Sequence, residues 1–141
     1  MRRPTLRAAL LQVPTFAIWL SACSTYPEGP IRMVRPDGVS VECNAPAQEI
    51  ADAALPEIGA ALSGLLETLQ SQAPVEQKAD EFRPLASTPA ELDVLDYRIC
   101  LEFGEGVLDA ADFTQWREQI RPMLATGMRS VSELTARAPS A

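Results

Sequence analysis

The feature that most constrains the fold is a run of apolar residues, Ile50, Ala54, Ile58, Leu62, Leu65 and Leu69, spaced four, four, four, three and four apart. That spacing puts all six on one face of an α-helix, whereas a strand repeats every two residues and would scatter them over both faces. A stripe of this kind has to be covered, so the rest of the chain must supply further apolar helix faces. Asn44 is placed to cap the start of the helix, and Pro46 is tolerable in its first turn. Pro56 falls inside the stripe and removes a backbone donor, which predicts a kink or break near residues 52–56. The stripe spans too few heptads for a coiled-coil seam and lacks flanking charge pairs, so it is expected to pack within its own domain.

The covering faces are found further on. Thr88-Pro89-Ala90-Glu91 is a capping box with proline at the first helical position, because the Thr88 hydroxyl can take the Glu91 amide while Glu91 reaches back. Leu92, Leu95, Ile99 and Phe103 form the buried stripe of this helix, and Gly104 is placed to end it in a left-handed conformation. After the Gly104-Glu105-Gly106 turn, Asp109 can cap a third helix, with Leu108 stapled against Phe113. Phe113, Trp116 and Ile120 carry its inner face to Pro122. Met123, Leu124, Met128, Val131 and Leu134 then continue helically past a kink there and past Gly127, and the tail from Ala136 is expected to fray. Pro74 and Pro84 bracket a short helix. The predicted fold is mainly α: a small helical domain in which a kinked long helix packs on a helical hairpin over residues 88–121. A signal peptide and a flexible tether precede it.

Ahead of residue 44 the chain reads differently. Arg2, Arg3 and Arg7 precede an apolar run over residues 8–20, which is too short and too interrupted by Gln12 and Pro14 for a membrane span and has the layout of a secretory signal. The signal ends on Leu20-Ser21-Ala22-Cys23, which resembles the lipobox of bacterial lipoproteins. The resemblance covers the signal alone. It implies removal of residues 1–22, attachment of lipid to Cys23, and a palmitate-type acyl anchor in a membrane. Ser24 after the anchor implies, by the same resemblance, the periplasmic face of the outer membrane in a two-membrane cell. Residues 24–37, with Pro27, Gly29, Pro30 and Pro36, read as a tether. Val39, Val41 and Cys43 alternate as a short extended segment laid on the helices, with no partner strand evident. The expected division is therefore 1–22 signal, 23–43 anchor, tether and extended segment, 44–136 helical domain, and 137–141 frayed tail.

Composition narrows the chemistry. The three arginines of the signal would leave with it, so 9 basic residues face 19 acidic ones and the net charge falls from −7 to −10. Such a domain is unsuited to nucleic acid and favours solubility or a basic partner. Histidine is absent, which removes imidazole as a base, proton shuttle or metal ligand. Beyond Cys23 two cysteines remain, and in an exported domain Cys43 and Cys100 are expected to pair, with two buried free thiols as the alternative.

Asp93, Asp96, Glu102, Glu105, Asp109 and Asp112 cluster around the hairpin, but their spacing does not match a calcium loop and capping accounts for part of the set. No metal or cofactor is expected, and no catalytic residue is assigned. Cys100 reads as structural, and Trp116 and Tyr97 are the interface candidates. The expected function is a membrane-tethered, non-enzymatic interaction or accessory module for an envelope protein. The alternatives are an envelope enzyme using carboxylates alone, and a carrier of a small apolar ligand lined by Leu62, Leu65, Ile99 and Trp116.

Overall fold

The computed structural model describes residues 29–137. The expected signal, Cys23 and the first residues after it lie outside the described residues, as do the last four residues of the tail and the side chains of Ile50, Ala54 and Leu134.

The fold is mainly α. Five helices follow a β-hairpin: α1 (Gln48–Gln70), α2 (Val75–Phe82), α3 (Pro89–Gly104), α4 (Ala110–Gln115) and α5 (Arg121–Arg137). A short 3-10 turn, Arg83–Leu85, follows α2, and a π turn, Trp116–Ile120, joins α4 to α5 in one helical rod. The central element is α3, which packs against α1, the hairpin, α4 and α5. It therefore buries side chains in several directions, among them Leu92, Val94, Leu95, Tyr97, Ile99 and Phe103. Ile58, Leu62, Leu65 and Leu69 of the α1 stripe enter the same core.

Three local expectations are met. Thr88 accepts from the Glu91 amide and Glu91 accepts from the Thr88 amide, closing the capping box with Pro89 at the start of the helix. Asp109 accepts from the Asp112 amide at 2.8 Å and caps α4. A helix forms between Pro74 and Pro84, as their spacing predicts.

Other expectations are corrected. Residues 30–44 are not a tether ending in a lone extended segment: β1 (Pro30–Val34) pairs antiparallel with β2 (Ser40–Asn44), with Ile31 opposite Cys43 and Met33 opposite Val41. Val41 and Cys43 are buried as the alternation requires, whereas Val39 is exposed at the hairpin turn. Asn44 closes the strand instead of capping α1. That helix starts at Gln48 behind Ala47, with no side-chain cap and with Pro46 outside it. The helix then runs through Pro56 without a break.

The α3 terminus also differs from expectation. Gly104 is still helical, and the left-handed residue is Gly106, with φ 84°. The Val107 amide bonds the Glu102 carbonyl at 2.9 Å and the Gly106 amide bonds Phe103 at 3.1 Å. Those two bonds are a Schellman closure, in which the glycine stands one place beyond the cap residue Glu105. Gly104 is small for a different reason: a Cβ there would lie 2.8 Å from the Met33 sulfur, so its absence lets β1 close on α3.

At Pro122 the rod widens instead of breaking. The Arg121 amide bonds the Trp116 carbonyl, five residues back. This relieves the crowding that a proline ring brings to the carbonyl four residues before it. Trp116, Ile120, Leu124 and Met128 are spaced by four, a step that drifts about 40° around an ordinary helix. The wide turn takes part of that drift back, which is why Trp116, Ile120 and Leu124 all stay buried.

Candidate functional site

On its outer side the π turn forms one wall of an open groove of about 680 Å³, within the range that binding sites occupy. Val75 and Glu76, in the first turn of α2, form the facing wall. Glu118, Gln119, Pro122, Met123 and Thr126 complete the lining. Val75, Pro122 and Met123 make an apolar strip, and Met123 is 36% exposed although Leu124 beside it is buried. The Thr126 hydroxyl donates to the Pro122 carbonyl at 2.9 Å, so the threonine presents its methyl group and not a free donor.

The two arginines of this stretch point away from the groove. Arg117 lies over the Phe113 ring, 5.8 Å from its centroid. Arg121 reaches back to α3, with its guanidinium 3.3 Å from Asp93 and 3.4 Å from Asp96. Asp96 also accepts from the Trp116 indole at 2.8 Å. Glu76 and Glu118 are left as exposed carboxylates without an ion pair among the described residues. The groove is therefore lined by apolar side chains together with exposed carboxylates on both walls.

The hairpin carboxylates do not converge on a shared site. Asp93 and Asp96 share Arg121, Asp109 is a helix cap, and Glu102 lies 3.9 Å from Arg98. Burial, reinforced by Glu105, raises Glu102 above the ordinary glutamate range, and burial followed by the Asp109 charge raises Asp112. In the capping box the Ser87 hydroxyl, followed by the Thr88 and Ser87 amides, holds Glu91 low. Among the described residues no three Cys, Asp or Glu side chains come together as a metal ligand set.

Cys43 and Cys100 form a disulfide, with Cα atoms 5.7 Å apart and a sequence separation of 57. It fastens β2 to α3. The interface candidates are corrected: Tyr97 is 3% exposed and Trp116 is fully buried, packed against Phe82 with ring centroids 5.0 Å apart. Tyr97 lies off the main α3 stripe, but α3 is enclosed on several sides, so that position is covered too. Leu62, Leu65, Ile99 and Trp116 are core residues and line no open pocket described here.

Two cations, Lys78 buried and Arg35 partly buried, lock the fold and have no counterpart in the sequence reading. Arg35, just past β1, donates to the carbonyls of Phe103 and Leu108, the latter at 3.2 Å, and its guanidinium lies 3.9 Å from the Phe103 ring centroid. Phe103 in turn stacks on Phe113 at 4.1 Å. The hairpin turn is thus clamped over the end of α3, where a cation also complements the helix dipole. Lys78 is 3% exposed and donates to the Leu69 carbonyl at 2.6 Å and to Gln115 at 2.7 Å. It ties the end of α1 to α2 and α4. Both cations were hidden because their partners are backbone carbonyls and an amide distant in sequence.

No helix among the described residues is long and apolar enough to cross a membrane. Compared with protein-family models, with curated proteins and with solved structures, the chain finds no match.

Proposed function

We propose that the protein is an exported lipoprotein, anchored through lipid on Cys23, whose helical domain holds or assists another envelope protein without catalysing a reaction. One observation carries the reading: the arginine-led apolar run closes on Leu20-Ser21-Ala22-Cys23. Acylation of the sulfur and of the freed amino group supplies the two or more chains that stable anchoring requires. Ser24 favours delivery to the outer membrane of a two-membrane cell.

The hairpin refines how such an anchor would act. With Pro30 already in a strand and Arg35 fixed on α3, only residues 24–29 separate Cys23 from the folded domain. Fully extended, that link reaches about 25 Å at roughly 3.5 Å per residue. The domain therefore works close to the bilayer, and its partner is a membrane protein or one bound near the surface. The lack of histidine and the engagement of Asp93, Asp96, Glu91 and Asp109 in caps and ion pairs favour binding over catalysis.

Chemical crosslinking in intact producing cells, followed by mass spectrometry, tests this reading. Reproducible recovery of the same envelope protein is expected. Recovery of no partner in repeated experiments would remove the interaction module from consideration.

A further inference from the structure

We propose that the groove between α2 and α5 docks a segment of the partner protein in which an apolar side chain is flanked by lysine or arginine. The inference rests on the reading of the domain as an interaction module and names the chemistry of what it holds.

Three apolar side chains face the groove. Val75, Pro122 and Met123 line the groove together, and Met123 keeps 36% of its surface exposed while its rod neighbours Ile120 and Leu124 are buried. An unbranched thioether adapts to side chains of different shape, which suits a docking surface. The π turn ahead of Pro122 belongs to the continuous backbone of the rod, so this wall stands without a partner.

Two exposed carboxylates line the groove beside them. Glu42, Asp80 and Asp93 are exposed carboxylates with arginine partners, whereas Glu57, Glu67, Glu81, Glu105 and Glu133 are exposed without one among the described residues. Glu76 and Glu118 likewise have no such partner among the described residues, and they stand on the two walls of one groove. Arg117 and Arg121 would be the obvious local counterions, but they are committed to Phe113, Asp93 and Asp96. Residues 29–137 carry 9 basic and 18 acidic side chains, so the wider field also draws a cationic segment and repels an anionic one. The groove is open, which fits a segment lying across the surface better than an enclosed small molecule.

The test uses the full chain in producing cells, with a photoreactive residue in place of Met123 and, as a control, in place of the exposed Val131 on the far part of α5. The crosslinked partner peptide is sequenced, and the experiment is repeated with Glu76→Lys and Glu118→Lys together. Both carboxylates are exposed, so the variant is expected to fold, and Trp116 emission checks that it does. The expected result is a crosslink from position 123 to a segment carrying lysine or arginine beside an apolar residue. Charge reversal should cut its yield by about tenfold, and added salt should weaken it. The proposal is overturned by a crosslink to an acidic or uncharged segment, to lipid, or to a second copy of the chain, and equally by a yield indifferent to charge reversal. No crosslink at position 123, while general crosslinking still recovers a partner, would sink the groove and leave the module. Loss of both would sink both.

Discussion

Replacing both Cys43 and Cys100 with alanine should lower stability by about 4 kcal/mol, a magnitude that follows from the loop the bridge closes. The sequence separation is 57, and on the chain-entropy account a loop of that length removes about 4 kcal/mol of freedom from the unfolded chain. For a domain of this size such a loss lowers the melting midpoint by roughly 15 °C or more. The native contacts change little: alanine leaves only small gaps, and the hairpin stays clamped by Arg35 on Phe103 and Leu108 and by Met33 against Gly104. The assay is urea unfolding of the chain from residue 23 onward, followed by the emission of Trp116, since the other tryptophan, Trp19, falls in the expected signal. The burial of Trp116 makes its emission a direct report on the core. The denaturant slope should rise in the variant, because an uncrosslinked unfolded chain exposes more surface. An unchanged midpoint and slope would refute the reasoning, since the bridge would then restrict nothing.

Arg35→Ala should cost about 2–4 kcal/mol, because it removes two charge-assisted bonds to carbonyls and the stacking on Phe103, and faster hydrogen exchange in residues 30–44 should locate the loss. Lys78→Met should cost about 2 kcal/mol by leaving the Leu69 carbonyl and the Gln115 amide unmet in the interior, and a melting curve reads it. The raised Glu102 predicts a pH dependence: its ionised form is disfavoured in the fold, so the cost is full above its folded pKa and vanishes below the ordinary glutamate value. Glu102→Gln should therefore raise the unfolding midpoint at neutral pH, and its advantage should shrink as the pH falls into the glutamate range. A constant advantage across that range would show that the carboxylate is not destabilised.

The parts of the fold that could be read from sequence are those whose causes are local. The Thr88 and Glu91 capping box is decided within four residues, and the α1 stripe is decided by spacing alone. With Cys23 set aside, Cys43 and Cys100 admit only one intramolecular pairing, and the structure chooses that bridge over two free thiols. What escaped depends on contacts distant in sequence. β1 carries a short Ile31, Met33 alternation between prolines and glycines, so nothing nearby distinguishes it from a linker; its pairing with β2 and the reach of Arg35 to Phe103 create it. Tyr97 lies off the stripe of its own helix, and only the enclosure of α3 from several sides buries it. Spacing alone points to Gly104 as the left-handed residue, two positions before Gly106, because the two glycines are equivalent locally. They differ only in that one faces Met33 and the other ends the helix.

The groove is the part of the candidate site that sequence reasoning missed altogether. A signal for it existed: Trp116, Ile120, Leu124 and Met128 repeat every four residues, with Pro122 among them, a spacing that drifts around an ordinary helix and that a wide turn partly restores. Read that way, the proline marks a wide turn whose outer side is displaced. The partnering of that outer side with Val75 and Glu76 of α2 still required the tertiary structure.

The lipid anchor is the central claim, and the mass of the N-terminal peptide from the protein isolated from producing cells tests it most directly. The account predicts a peptide beginning at Cys23, with residues 1–22 removed and its mass increased by a diacylglycerol group and, on the amine, a further acyl chain. Cys23→Ala should abolish that species and the incorporation of labelled fatty acid. A peptide beginning elsewhere, or one beginning at Cys23 with no added lipid mass, would contradict it.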